Sequence, residues 1–116
     1  MLVKPLPKGS LHITDEVMAL IAEAAINETE GVAGTISGIR DEVARVINKN
    51  PARGITVQTG EEETVIDVKV ALLFGVKVRD ICHQLQEKIK QEVEMMTGVA
   101  VASVNIFVEQ ITFPEE

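Results

Sequence analysis

Residues Thr64 to Phe113 carry a pattern that few folds accommodate. An alternating segment, Val65 to Leu72, breaks at Phe74-Gly75. Helical periodicity then runs from about Val78 to Thr97, stops at Met96-Thr97-Gly98, and yields to a second alternating segment, Val101 to Thr112. If the two strands share a sheet, strand–helix–strand requires a parallel pair joined by a right-handed crossover helix. In the first strand Ile66, Val68, Val70 and Leu72 share one face, while Asp67 and Lys69 take the other. One face is therefore core and the other at least partly wet. On the helix, Val78, Ile81, Cys82, Leu85, Ile89, Val93 and Met96 fall within a stripe of about 120°, the width of a core-facing surface. Gly98 stands where a left-handed C-terminal cap belongs.

The upstream half supplies the rest of the layer. Thr14 is placed to cap a helix running to about Asn27, with Asp15 and Glu16 in its favourable first turn. Its expected buried side holds Val17, Met18, Leu20, Ile21, Ala24 and Ala25, with Ala19 away from that stripe. Three glycines in Gly31 to Gly38 exclude a good helix there. A short helix is expected at Asp41 to Asn48, ended by Asn50-Pro51 and Arg53-Gly54. Ile55 to Thr59 alternates, and Gly60-Glu61-Glu62-Glu63 reads as the turn of a hairpin with Val65 to Leu72. The expected fold is α+β: a small mixed sheet, made of a β-hairpin plus a strand after a crossover helix, covered by helices on one face. Residues 1–9, with Pro5 and Pro7, are expected as a flexible N-terminal arm. Residues 10–113 form the single domain and 114–116 an acidic tail.

Composition narrows the function. Among 116 residues, 46% are apolar, so the chain can bury a core; three phenylalanines are its only aromatics. The net charge of −7 and the scarcity of stacking platforms disfavour general nucleic-acid binding. Cys82, the lone cysteine, excludes an intrachain disulfide and fits a reducing compartment. No signal-peptide core and no apolar run of about 20 residues is present, so a cytoplasmic protein without direct membrane insertion is expected.

Five words at the joints, in order, carry a resemblance. They are Ile13-Thr14-Asp15-Glu16-Val17, Glu28-Thr29-Glu30-Gly31-Val32-Ala33-Gly34, Phe74-Gly75-Val76-Lys77-Val78, Glu94-Met95-Met96-Thr97-Gly98 and Val104-Asn105-Ile106-Phe107-Val108. With them the chain resembles the alkaline shock protein family, the envelope stress response proteins of Gram-positive bacteria, over about residues 9 to 113. Arg79 stands where members often place proline, and Thr35 to Arg40 is less typical. The resemblance implies a non-enzymatic cytoplasmic interaction or scaffold protein linked to the envelope stress response. Some members are similar to scaffolds recruited by a membrane-anchored partner, others to proteins tied to control of lipid synthesis. It implies no catalytic residues, no cofactor and no metal.

Cys82 and His83 are neighbours on a helix and point about 100° apart, so they cannot form a thiol–imidazole pair. Asp80, His83 and Glu87 share a helix face, where a solvated charge cluster is the simpler reading than a metal site. His12 has no partner that sequence assigns. The acidic runs Glu61-Glu62-Glu63 and Glu115-Glu116 read as solubilising. Gly31 and Gly34 frame a GxxG resembling the loop of a KH-like RNA-binding module, the alternative function, although the flanking glutamates oppose a nucleotide backbone. Phe107, Ile111 and Phe113 exceed what a one-sided sheet needs. They are the candidate surface for protein partners and for a homo-oligomer.

Overall fold

A computed structural model of the chain describes residues 1–35, 54–60 and 63–113. The expected helix at 41–48, residues 61 and 62 of the hairpin turn, and the tail 114–116 lie outside the described residues. Among the described residues the elements are β1 (Leu2–Leu6), β2 (Gly9–Ile13), α1 (Asp15–Asn27), β3 (Val32–Thr35), β4 (Ile55–Thr59), β5 (Glu63–Leu73), α2 (Val78–Thr97) and β6 (Ala100–Thr112).

Strand β5 organises the main sheet. Along one edge it pairs with β6 in parallel, from Glu63↔Ala100 to Leu73↔Thr112. Its other edge is shared end to end by two antiparallel strands, β4 beside Thr64 to Val68 and β3 beside Val70 to Leu72. The sheet is therefore mixed, as expected of a hairpin extended by a crossover. Ile66, Val68, Val70 and Leu72 are fully buried under the helices, and Leu85, Ile89 and Val93 of α2 meet them in one cluster with Ala22, Ala25 and Ile26 of α1. Each fully buried aliphatic side chain of this kind contributes about 1.5–3 kcal/mol before ordering costs.

The bounds of α2 match the sequence reading, and Gly98 caps it in the left-handed region, its N–H donating to the Glu94 carbonyl. The stripe narrows at its ends, since Val78 and Met96 are exposed. Helix α1 is capped by Thr14 as expected, yet it is rotated. Met18, Ala19, Ala22, Ala25 and Ile26 are its buried residues, whereas Val17, Leu20 and Ala24 face outward. Measured along the helix, the buried face lies about a third of a turn from the expected stripe.

The segment expected as a flexible arm is instead strand β1, paired with β2 from Leu2↔Ile13 to Leu6↔Gly9. Pro5 is accommodated because β1 is an edge strand, where a missing N–H costs no second ladder bond. Leu2, Ile13, Met18 and Val99 form a second buried cluster, which holds this hairpin on α1 and the end of α2. Lys4 Nζ also donates to the Gly98 carbonyl.

Gly31 joins α1 to β3 with φ 92°, and a Cβ there would lie 3.1 Å from side-chain atoms of both Ile81 and Val76. Gly31→Ala is expected to destabilise the protein by about 1–3 kcal/mol, through left-handed strain and that contact together. A urea titration measures it; an unchanged midpoint would show that the joint relaxes freely.

Candidate functional site

Strand β6 carries two bulges that decide which of its side chains share a face. Its register against β5 slips between Val101 and Ser103 and again between Val108 and Gln110. Up to the second slip, Val104, Ile106 and Val108 pair with the buried residues Ile66, Val68 and Val70, on the helix side. Asn105 and Phe107 pair with Asp67 and Lys69 on the open side. Beyond the extra residue, Glu109, the alternation is inverted: Ile111 pairs with Leu72 and so belongs to the helix side, at its rim. The structure thus separates Ile111 from Phe107, which simple alternation had joined.

Phe113 stands apart from both. Its ring stacks on Phe74 with centroids 4.7 Å apart, at the end of the sheet where the Phe74 N–H donates to the Thr112 carbonyl. The two rings are nonetheless 60% and 70% exposed, so each has lost only part of its surface to the other. Phe74 was not singled out as a functional residue from sequence, where it served only as a break. A phenylalanine beside the Gly75 turn, and another just past the last strand, were the available signal. With Phe107 on the open face beside Lys69, the described aromatics all lie on the β5–β6 half of the sheet, and none is in the core.

A groove of about 540 Å³ runs between α2 and the free edge of β6, lined by His83, Gln86, Lys90 and Glu94 on one side and Ala102 to Asn105 on the other. It is crossed by side chains that hold the strand. Gln86 Nε2 donates to the Val104 carbonyl at 3.0 Å and Lys90 Nζ to the Val101 carbonyl at 3.0 Å. The Val101 N–H donates to Glu94 Oε2 at 2.9 Å, and this bond, helped by Lys90 at 3.4 Å, holds the Glu94 carboxyl below the usual carboxylate range. Burial opposes the shift only in part. The stability that Glu94 contributes to the clasp is therefore full above the ordinary carboxylate range and is lost as pH falls through the lowered value.

The remaining candidates do not converge. Cys82 is half-buried against the core, and burial pushes its thiol pKa up, which keeps it protonated and a poor nucleophile. His83 lies 3.5 Å from Glu87 in a largely exposed i,i+4 pair, and among the described residues no three of His, Cys, Asp and Glu gather as a metal-holding group. His12 Nε2 is 2.9 Å from Ser10 Oγ on the hairpin. Gly31 and Gly34 do not frame a free loop, since Val32–Thr35 is strand β3 and its ladder to β5 occupies the segment. A GxxG clamp presents its backbone to nucleotides from a loop, and this backbone is already engaged in a sheet. No described helix is long and apolar enough to cross a membrane.

The fold is shared with MamM-CTD, at a TM-score of 0.51 and 14% identity over 82% of this chain and 96% of that one. A cadmium form of a variant of that domain gives 0.52 and 12% identity over 84% and 98%. In sequence, the chain is 33% identical to the uncharacterized protein YloU of Bacillus subtilis over 89% of its length and 88% of the relative's. It is 30% identical to YqhY of the same organism, over 90% and 78%. Protein Spy1614 of Streptococcus pyogenes matches at 28% over 89% and 88%. The profile of the alkaline shock (ASP23) family, described as having a cell envelope-related function, matches residues 4–113, and the chain belongs to that family.

Proposed function

We propose that this chain is a non-enzymatic interaction protein of the cytoplasm, which serves the cell envelope by engaging a protein partner held at the membrane. The observation that carries the reading is the Phe74–Phe113 pair, stacked yet more than half exposed, at the end of the sheet. Aromatic surface of this kind contributes little to a core and much to an interface, where rigid rings lose little entropy on burial. The family's envelope-related description supports the setting, and the half-buried Cys82, its thiol pKa pushed up by burial, supports a role without nucleophilic chemistry. A scaffold role in the envelope stress response, or a link to lipid synthesis, would follow from the identity of that partner.

The test is affinity capture from the solubilised membrane fraction of the native cell, with the parent chain and with Phe113→Asp. A specific membrane protein retained by the parent and lost with the variant, while the variant melts like the parent, is the expected result. The same proteins retained by both forms, or none by either, would remove the aromatic pair from the reading.

A further inference from the structure

Among the described residues, strand β6 is paired with another strand along one edge only. The two halves of the other edge are treated differently. In the first half, a row of α2 side chains at i, i+4 and i+8 (Gln86, Lys90 and Glu94) takes up the Val104 carbonyl and both outward backbone groups of Val101. Alternation along the strand turns the N–H and C=O of Ile106 and Val108 the same way, as far as the bulge at Glu109. No described side chain reaches those four groups. The open stretch, Asn105 to Val108, has two β-branched residues, a 46%-exposed Phe107, no charge and no proline. It lacks every device that keeps an edge from pairing, while the clasped half beside it has one.

We infer that the open half of β6 pairs antiparallel with the same strand of a second copy of this chain. This rests on the interaction role proposed above and gives it a first partner. About a two-fold axis at Phe107, Ile106 faces Val108 of the second copy and Val108 faces its Ile106, so both sets of outward backbone groups are satisfied at once. Phe107 then meets its own counterpart on the open face of the sheet, in a non-hydrogen-bonded pair whose side chains approach closely. Charge selects this register. It sets Glu109 against the neutral Asn105 of the other copy, whereas moving the axis to Glu109 would oppose two carboxylates in a chain whose net charge is already −7. The α2 clasp ends the pairing on one side and the Glu109 bulge on the other. So short a contact buries less than the roughly 1,200 Å² of a stable complex, so the dimer is weak and concentration-dependent.

Sedimentation velocity from about 10 to about 500 µM, the range in which such contacts populate, tests this together with amide exchange followed by NMR. The sedimentation coefficient is expected to rise with concentration, and exchange at Ile106 and Val108 to slow with it. Val108→Pro removes an N–H that β5 does not use, so the fold persists while the rise in sedimentation coefficient and the slowing at Ile106 both vanish. Should that variant not fold, Phe107→Lys, which sets like charges on the axis, is expected to abolish both effects instead. Phe113→Asp leaves both intact, since that ring lies outside the contact. A monomer at the highest concentration with free exchange at both amides would overturn the inference, as would a folded Val108→Pro or Phe107→Lys variant that still dimerises. Loss of the dimer with Phe113→Asp alone would overturn it too and would assign self-association to the aromatic pair. Failure here with partner capture still lost in Phe113→Asp leaves the proposed function standing.

Discussion

Val68→Asp is expected to leave the protein unfolded at 25 °C. Val68 is fully buried in the one described strand with both edges taken, facing Ile55 of β4 and Ile106 of β6 across the two ladders. A carboxylate there has no basic partner among the buried residues and no free edge toward which the strand can tilt to hydrate it. An unpaired buried charge costs more than about 4 kcal/mol, close to the lower end of the roughly 5–15 kcal/mol that holds a domain of this size together. Far-UV circular dichroism decides the matter, with Lys69→Asp, one residue along and exposed, keeping the parent spectrum. A Val68→Asp protein with cooperative melting near the parent's would mean that β5 is not the centre of the sheet.

A second large effect separates two residues that periodicity had placed on one stripe. Ile89 is fully buried at the middle of α2, between the sheet and α1, while Met96 near the helix end is 66% exposed. Ile89→Ala is expected to cost about 2–5 kcal/mol, the loss of transfer energy plus the cavity that neighbouring side chains cannot close. Met96→Ala should fall within about 0.5 kcal/mol of the parent. Urea midpoints of the two variants measured side by side check this. Equal losses would show that the last turn of α2 is buried in solution by something else, and a second copy would be the first suspect.

The contrast shows what the chain made legible. The order strand–helix–strand, the hairpin of β4 with β5, the cap at Gly98 and the buried set on β5 all follow from a period of two meeting a period of 3.6. Each of those segments has one apolar face and one polar face, so a single rotation satisfies it. Helix α1 is different: Val17, Leu20 and Ala24 on one side and Ala22, Ala25 and Ile26 on the other are all apolar. Its pattern admits two rotations, and only the neighbouring elements choose between them. Strand β1 was hidden by Pro5 and Pro7, which oppose regular structure in general but not on an edge. At the candidate site, Phe107 was placed on the open face correctly, whereas Ile111 was not. A bulge adds one residue without leaving a mark in composition, and every side chain after it changes sides. The clasp of Gln86, Lys90 and Glu94 was equally invisible, since side chains spaced four apart on a polar helix face ordinarily meet only water.

The hairpin of β1 and β2 has a mechanical meaning. By holding Met18 with Leu2 and Ile13 it pins the start of a helix with two serviceable faces, while Ala22, Ala25 and Ile26 in the main core pin the rest. The angle these contacts select turns Val17 and Leu20 outward, 45% and 42% exposed. The identity of the surface on the far side of α1 is thus set by contacts it never touches.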